Sequence, residues 1–292
     1  MNRPPSRPRR VAVVGATGQL GQALTETLRA LPGWHVQPLS HEDVEIADPE
    51  SIARALDPAP TFLINTAYWA GEEPATALRV NALGPRLLSQ FCAAHGTLLL
   101  QISTDYVFDG ETDRPYRETD CPNPLSVYGA SKLAGEHLVR AGAARYLIVR
   151  LSSIYGAGGS RAKGGTSFVS DMLDMQAAGR TIRVSTDQIH SPTYAMDAAA
   201  TIAQLLERGV TGLVHLSNAG RCTKFEFAQR IFQLAGRTAE LVPVQSSDLP
   251  PNRHWPRFTA LAHAALHAAG LPSPRLWDDG LRAHLAQEGL LA

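Results

Sequence analysis

Tyr128 and Lys132 lie four residues apart in the segment YGASK, a spacing that places both side chains on one face of a helix. A phenol is a poor proton donor at neutral pH because its ordinary pKa is about 10. A neighbouring ammonium stabilises the phenolate, so proton transfer to a developing alkoxide becomes easier. The pair therefore predicts acid catalysis of carbonyl reduction, although such a pair taken alone could also be a surface stack.

The same chemistry needs a hydroxyl that orients the carbonyl oxygen. The segment QISTDYVF offers Ser103 and Thr104 at the end of a predicted strand. These hydroxyls, together with a glycine-rich turn earlier in the chain, favour the catalytic interpretation of the Tyr and Lys pair.

That turn is GATGQLG, residues 15–21, which directly follows the first predicted strand and opens the first predicted helix. Gly15 permits a tight turn, Gly18 lets the backbone approach a pyrophosphate, and Gly21 lets the helix pack closely on the sheet. The helix N-terminus then presents free N–H groups and a favourable dipole to the phosphates. The spacing is GxxGxxG rather than GxGxxG, and its position between strand and helix predicts a dinucleotide cofactor.

The residues that discriminate between NAD(H) and NADP(H) are expected at the end of the second predicted strand, in the segment PLSHED. A carboxylate there would accept hydrogen bonds from the adenosine ribose and repel a 2′-phosphate. Ser40 and His41 occupy the strand end, and the acids come only further on. The segment therefore predicts that NADP(H) is tolerated and leaves NAD(H) open; an ordinary polar loop explains it equally well.

Short apolar runs alternate with helical patterns along the first half of the chain. This alternation predicts an α/β fold with a doubly wound parallel sheet covered by helices on both faces. We expect a disordered basic tail at residues 1–9, a dinucleotide-binding domain at 10–155 and a smaller substrate-binding lobe at 156–292. Residues 156–165 predict a flexible loop, and some elements of the lobe could return to the first domain.

Composition excludes several classes of function. Lys plus Arg and Asp plus Glu number 27 each, so no global charge recruits nucleic acid or an acidic membrane. The three cysteines, Cys92, Cys121 and Cys222, lie far apart and predict a reducing compartment rather than disulfides or a metal site. No apolar run approaches the roughly 20 residues of a spanning helix. We expect a cytoplasmic protein that binds neither membrane nor nucleic acid.

Four segments, GATGQLGQAL, STDYVFDG, YGASKLAGE and DQIHSPT, resemble the extended short-chain dehydrogenase/reductases. The resemblance is greatest to the dTDP-4-dehydrorhamnose reductase family and runs over nearly the whole chain. It implies a Rossmann-like fold and reduction of a nucleotide-linked 4-keto-6-deoxysugar. It further implies that Tyr128 protonates the carbonyl oxygen as hydride arrives from the nicotinamide, that Lys132 holds the nicotinamide ribose, and that Thr104 and Asp105 touch the substrate.

The predicted site combines the residues above with positions that match the family. The predicted catalytic residues are Thr104, Tyr128 and Lys132. The predicted cofactor contacts are Gly15, Thr17, Gly18, Gln19, Leu20, Gly21, Ser40, His41, Glu45, Ile46, Thr66, Ala67, Tyr68, Ile102, Tyr128 and Lys132. The predicted substrate contacts are Thr104, Asp105, Ser153 and His190, and no metal site is predicted.

The chain also departs from the family. Ser153 stands where the family has Trp, which removes a stacking surface, and His190 stands where the family has Gly. His190 is either a ligand contact or a packed or surface histidine. The segment NTAYWAGEEP is several residues shorter than usual, and HWPRF replaces a segment with an arginine pair, for which Arg253 and Arg257 could compensate. These departures all fall where the substrate is expected.

Three alternatives remain. Related dehydratases carry an acid pair after the Thr, but Thr104 is followed by Asp105 and then Tyr106, so simple reduction is favoured over elimination of water. A reductase of another ketone in specialised metabolism fits the altered pocket. A non-catalytic NADP-binding regulatory subunit is also similar to this family, but it would not need the proton donor. A homodimer is expected from the frequency of such assemblies alone.

Overall fold

The computed structural model describes residues 9–71, 73–158, 165–249 and 255–292. The predicted basic tail lies outside the described residues except for Arg9, which already belongs to the first strand. Residues 159–164 of the predicted flexible loop lie outside them as well. No helix in the described part of the chain is long and apolar enough to cross a membrane.

The first half of the chain alternates strands and helices as the sequence predicts. Its elements are β1 (Arg9–Val14), α1 (Gln19–Arg29), β2 (Trp34–Leu39), α2 (Pro49–Ala55), β3 (Phe62–Asn65), α3 (Pro74–Leu78), a π-helical segment (Arg79–Leu83), α4 (Gly84–His95), β4 (Leu98–Thr104), a 3-10 turn (Asp105–Val107), α5 (Val127–Gly142) and β5 (Tyr146–Leu151).

The second half has shorter strands. Its elements are β6 (Ile154–Tyr155), α6 (Phe168–Ala177), β7 (Ile182–Ser185), β8 (Ile189–His190), β9 (Thr193–Tyr194), α7 (Ala195–Glu207), β10 (Gly212–Leu216), β11 (Cys222–Thr223), α8 (Lys224–Leu234), β12 (Leu241–Val244), a 3-10 turn (Ser246–Asp248), α9 (Ala264–Ala268) and α10 (Trp277–Gln287).

The central sheet has six strands in the order β2, β1, β3, β4, β5, β10, and every neighbouring pair is parallel. This arrangement confirms the predicted doubly wound fold class. From β1 the chain goes to β2 on one side, and β3 then lies on the other side of β1. Strand order therefore reverses at β1, and the crevice at the carboxyl ends of β1 and β3 is where open α/β sheets bind ligands.

Alternating side chains of the strands enter two different cores. On β1, Val11 and Val13 pack into the core that contains α1 and α7, whereas Ala12 and Val14 pack into the core that contains α2 and α4. Both faces are apolar because helices cover both, so the strand reads as a continuous apolar run. The sheet is thereby held rigidly, and the loops at its carboxyl edge have a fixed base.

Residues 156–292 contribute both to the core of the central sheet and to two further cores. β10 extends the central sheet beside β5, and α7 packs against α1. A second core, which includes Tyr155, Phe227 and Leu281, joins α6, α8 and α10. The lobe formed by these helices and the short strand pairs lies next to the carboxyl end of β5, since β6 pairs with β9 and β8 pairs with β11.

Candidate active site

The loops after β1 and β3 touch at the point where strand order reverses. Gly15 has φ +78°, and a Cβ there would lie 2.7 Å from the Thr66 hydroxyl oxygen and 2.8 Å from the Ala67 backbone nitrogen. The Thr66 hydroxyl lies within hydrogen-bond distance of the carbonyls of Val14 (2.8 Å) and Gly15 (3.1 Å). Only glycine satisfies both the left-handed conformation and the close approach.

The N-terminus of α1 is suited to an anion. Gly18 is its N-cap residue, and no side chain caps the helix. A Cβ on Gly18 would meet only the Gly15 carbonyl, at 3.5 Å, whereas a Cβ on Gly21 would lie 2.2 Å from that carbonyl. Gly21 is therefore required by the packing of helix on loop, and Gly18 leaves open space in front of unsatisfied N–H groups. This arrangement fits the diphosphate of a dinucleotide.

The other predicted residues of this turn differ in exposure. Thr17 is exposed, and its carbonyl accepts a hydrogen bond from the Gln22 side chain at 2.8 Å. Gln19 is buried and its amide lies 3.5 Å from the Gly156 carbonyl, while the Leu20 side chain packs in the core. Gln19 and Leu20 can therefore face a cofactor mainly through backbone N–H groups.

The end of β2 carries a carboxylate that sequence reasoning placed too far away. The backbone N–H and the hydroxyl of Ser40 both donate to the Asp43 carboxylate at 2.7 Å. These hydrogen bonds hold the pKa of Asp43 below its ordinary value. The turn thus folds an acceptor back onto Ser40, next to the exposed His41. A ribose hydroxyl could be bound there.

The remaining predicted cofactor positions are not equivalent. Glu45 is exposed and forms an ion pair with Arg79 at 3.3 Å. The Ile46 side chain is buried in the core that also contains Ile52 and Leu88, and its contact with the cofactor stays a prediction. Tyr68 is 39% exposed, and its ring stands edge-on to the ring of Tyr128 with centroids 6.1 Å apart.

Helix α5 presents the Tyr and Lys pair to the end of β4. The Ser126 hydroxyl accepts a hydrogen bond from the Gly129 N–H at 3.1 Å and so determines where the helix begins. Tyr128 lies in the first turn. One turn later the Lys132 ammonium donates to the Ile102 carbonyl at 2.6 Å, which holds the cation against β4.

Thr104 joins the Tyr128 phenol to a buried carboxylate. The Thr104 hydroxyl lies close enough to the Tyr128 phenol to lower the pKa of that phenol. The Thr104 hydroxyl also lies 3.1 Å from the Asp105 Oδ1 and accepts from the Tyr106 N–H at 3.1 Å. The structure therefore brings Tyr128, on α5, to Thr104 and its neighbour Asp105 at the end of β4.

Burial changes the acidity of the pair on α5. Desolvation raises the pKa of the Tyr128 phenol, and the nearby Thr104 hydroxyl opposes this rise. Desolvation lowers the pKa of Lys132 to about 8, and the nearby Glu136 carboxylate opposes this fall. The ammonium is therefore present at neutral pH, but its proton is held less firmly than that of an exposed lysine.

Sequence reasoning missed a buried charged network beneath Lys132. Glu136 and Arg150 are almost fully buried and pair through two contacts, from Nε to Oε1 at 2.8 Å and from Nη2 to Oε2 at 2.7 Å. The Ser103 hydroxyl donates to Glu136, and His215 lies 3.4 Å from Arg150. The sequence does contain a sign of this network: Arg150 interrupts the apolar run of β5, and a charge inside a buried strand requires a partner.

Asp105 is almost fully enclosed. Its Oδ2 accepts a hydrogen bond from the Ser152 hydroxyl at 2.7 Å, and the Thr259 side chain lies close enough to lower its pKa. Burial raises its pKa, while these side chains and the charge of Lys224 oppose the rise. Of the two serines after β5, Ser152 thus serves Asp105. The Lys224 ammonium contacts the Ser153 hydroxyl at 3.3 Å. Sequence reasoning also missed Lys224.

His190 is packed rather than exposed. It lies on β8 opposite Cys222, and its ring stands edge-on to Phe227 with centroids 5.6 Å apart. Burial and the charge of Lys224 lower the pKa of His190 well below its ordinary value, so the ring is neutral. Within the described residues neither ring nitrogen has a hydrogen-bond partner. A ligand contact stays a prediction.

The shortened segment after β3 is held by one amide. The Asn81 side chain accepts from the Trp69 N–H at 2.9 Å and donates to the Trp69 carbonyl at 2.8 Å. The Trp69 side chain is left 41% exposed beside Tyr68. Farther along, Arg257 is mostly exposed and lies 3.8 Å from Asp187, while Arg253 lies outside the described residues.

Comparison with known proteins agrees with this geometry. The family model described as RmlD substrate binding domain matches residues 9–289. A dTDP-4-dehydrorhamnose reductase from Streptomyces griseus is 37% identical over 291 residues, covering 95% of this chain and 93% of that protein. A dTDP-4-keto-6-deoxy-D-glucose reductase from Streptomyces niveus is 35% identical over 281 residues, covering 92% and 94%.

A solved structure shows the same fold. The dTDP-4-dehydrorhamnose reductase from Bacillus anthracis str. Ames, in complex with NADP, has a TM-score of 0.90 and 31% sequence identity, covering 96% of this chain and 99% of that one. The similarity includes both the parallel sheet and the lobe, since almost all of each chain is aligned. The chain therefore belongs to the RmlD substrate binding domain family, within the extended short-chain dehydrogenase/reductases.

Proposed function

We propose that this protein is an NADPH-dependent ketoreductase that reduces a nucleotide-linked 4-keto-6-deoxysugar, of which dTDP-4-dehydrorhamnose is the leading candidate. The observation that carries the proposal is the meeting of the Thr104 hydroxyl with the Tyr128 phenol, close enough to lower the pKa of that phenol, with Lys132 one turn away on the same helix. The names of the relatives support the substrate class, and the NADP-bound relative supports the cofactor.

The residues present fit a dinucleotide. The unblocked N-terminus of α1 and the open space at Gly18 would hold the diphosphate. Ser40 and Asp43 would face the adenosine ribose, and Lys132 would face the nicotinamide ribose. Because a carboxylate lies beside Ser40, we propose that NAD(H) is also accepted. When bound, the reduced nicotinamide supplies a hydride to the ketone carbon.

The chain's own residues manage the proton and the carbonyl. Thr104 orients the carbonyl oxygen, and Tyr128 donates its phenolic proton to that oxygen as negative charge develops there. Lys132 stabilises the resulting phenolate through its positive charge. The Ile102 carbonyl fixes the ammonium in place, so the cation does not need to be ordered during the reaction.

The test is a purified Tyr128→Phe variant, which removes the proton donor and keeps the ring. We expect kcat to fall by about 10² to 10⁴ while NADPH binding is retained. Tyr146→Phe, which removes a phenol at the start of β5 away from the site, serves as the matched control. Full turnover by Tyr128→Phe would exclude the proposed mechanism.

A second candidate keeps the chemistry and changes the ketone. The contact of the Lys224 ammonium with the Ser153 hydroxyl favours it, because these side chains put polar groups where the family has the ring of a tryptophan. NADPH oxidation measured with dTDP-4-keto-6-deoxysugars and with ketones that lack a nucleotide separates the two. A regulatory subunit without activity remains less well supported, since it has no need of a proton donor.

Assembly and location remain proposals of the same kind. We propose a homodimer, on the frequency of such assemblies among enzymes, and a cytoplasmic location, on the wide spacing of the three cysteines. Light scattering of the purified protein and fractionation of the source cells test these two statements.

A further inference from the structure

Three polar side chains meet next to the catalytic hydroxyl, at the carboxyl end of β5. The Lys224 ammonium contacts the Ser153 hydroxyl at 3.3 Å and lies over the ring of Phe168, 5.3 Å from its centroid. Phe168 stacks on Phe227, and His190 packs edge-on against that same Phe227 ring. The serine, the lysine and the histidine therefore line one aromatic-walled corner of the site.

This corner is continuous with the catalytic residues. Asp105 accepts hydrogen bonds from Thr104 on one oxygen and from Ser152 on the other. Ser152 is followed directly by Ser153, which contacts Lys224. A substrate whose carbonyl oxygen lies at Thr104 would therefore have on one side the Asp105 carboxylate, which is close enough to Lys224 for their charges to interact.

Two features of the corner are unusual for residues that serve packing alone. His190 is 2% exposed, and neither of its ring nitrogens has a hydrogen-bond partner within the described residues, which is costly for a buried imidazole. Ser153 has φ 38°, the single positive φ outside glycine in the part of the chain that the structure describes. Strained residues of this kind cluster at ligand-binding positions.

We propose that Ser153, His190 and Lys224 form a subsite that binds the hydroxyl group on the ring carbon next to the ketone. The subsite deepens the proposed function and rests on it. It makes the protein selective for α-hydroxyketones over ketones that lack this hydroxyl.

The chemistry of the three groups selects a hydroxyl rather than an anion. Asp105 lies close enough to Lys224 for their charges to interact, so the corner carries a compensated cation rather than an excess of positive charge. An ammonium only donates, whereas a neutral imidazole has one donor and one acceptor nitrogen. A hydroxyl can accept from the ammonium and donate to the bare imidazole nitrogen, whereas a carboxylate would face Asp105.

The experiment compares a dTDP-4-keto-6-deoxysugar with its 3-deoxy analogue as substrates. The measured quantity is the ratio of the two kcat/KM values, which reports binding of that hydroxyl in the transition state. We expect wild-type protein to prefer the hydroxylated ketone by about 10- to 100-fold, because the analogue leaves buried polar groups unpaired. In Lys224→Met, which keeps the chain length over Phe168, the ratio should fall to within a few-fold of one.

Two further variants complete the experiment. Arg237→Met removes an exposed positive charge from the same lobe just after α8 and should keep the wild-type ratio. Ser153→Gly removes the hydroxyl where a positive φ favours glycine, so it should fold and should also lower the ratio. If Lys224→Met does not fold, the kcat/KM ratio of Ser153→Gly tests the subsite in its place.

The outcomes separate the two levels of the proposal. If wild-type protein reduces neither ketone, the proposed function is wrong and the subsite falls with it. If it reduces both equally well, the reductase stands and the subsite is wrong. A wild-type preference that persists unchanged in Lys224→Met and Ser153→Gly overturns the assignment to these residues.

Discussion

The Glu136→Gln substitution probes the buried pair beneath the catalytic lysine. Glu136 accepts from Arg150 through two contacts of 2.8 and 2.7 Å and from the Ser103 hydroxyl, and the two charged side chains are 1% and 2% exposed. A glutamine has nearly the same shape, but it carries no charge and presents one amide group to donors that need an acceptor. The substitution therefore leaves the Arg150 guanidinium buried without its counter-charge.

The expected loss of stability follows from this burial. Removing one partner of a buried ion pair lowers the free energy of unfolding by about 3 to 5 kcal/mol, because the other charge stays desolvated. At about 2 °C per kcal/mol for a chain of this size, the melting temperature should fall by roughly 6 to 10 °C. The matched control is Glu207→Gln, which breaks an exposed pair with Arg9 and should cost less than about 1 kcal/mol.

The same substitution should change the pH dependence of reduction. Burial lowers the pKa of Lys132 to about 8, and the Glu136 carboxylate opposes this lowering. Without that carboxylate the pKa falls further, and the ammonium is lost at a lower pH. Since the ammonium exists only below its pKa, the alkaline limb of kcat/KM for NADPH should lie near pH 8 in the wild type and at lower pH in Glu136→Gln.

The assay combines thermal unfolding with kcat/KM for NADPH between pH 6 and about 9.5. Glu207→Gln should give the wild-type alkaline limb. A Glu136→Gln protein that melts within 2 °C of the wild type would refute the energetic argument. An alkaline limb that stays in place would refute the electrostatic link between Glu136 and Lys132, whatever the stability shows.

Three further predictions concern the cofactor loop and acid stability. Gly18→Ala should fold normally but weaken NADPH affinity at least about 10-fold in a fluorescence titration. Gly21→Ala, whose Cβ would lie 2.2 Å from a backbone carbonyl, should instead lower the melting temperature. Equal effects of the two substitutions on affinity and on melting temperature would contradict this division. Asp43→Asn removes the carboxylate beside Ser40 and should raise the NADPH to NADH ratio of kcat/KM, and an unchanged ratio would separate Asp43 from the ribose. His215 and His263 have pKa values lowered to about 3 and about 4 by burial, so below pH 6.5 the unfolded chain binds protons that the folded protein does not. These two groups should make the free energy of unfolding in urea about 2 to 3 kcal/mol lower at pH 5.5 than at pH 7.5, and equal stability at both pH values would contradict this.

Local sequence patterns were sufficient to predict the fold class, the glycine turn and the pairing of Tyr128 with Lys132. The strands could be predicted because buried parallel strands are apolar on both faces. The glycine turn could be predicted because Gly21 meets a steric limit set within a few residues of itself, whereas the close approach of Thr66 to Gly15 could not be predicted. Tyr128 and Lys132 could be paired because residues four apart share a helix face.

Other features were decided by tertiary structure because they join side chains from separate elements. The Thr104 contact with Tyr128 depends on how α5 packs beside β4, and the Glu136 pair with Arg150 depends on the neighbouring strand. Asp43 approaches Ser40 only through the conformation of a turn. No periodicity records such distances, since they follow from crossovers and loops rather than from the repeat of a helix or strand.

The two serines after β5 show this division most clearly. Their position at the end of an apolar strand could be predicted from the sequence, but their roles could not. The structure directs Ser152 to the Asp105 carboxylate and Ser153, in a left-handed conformation, to Lys224 on α8. Adjacent and chemically identical side chains thus differ in partner because Ser153 has a positive φ and because α8, whose first residue lies 71 positions later, brings its lysine to Ser153.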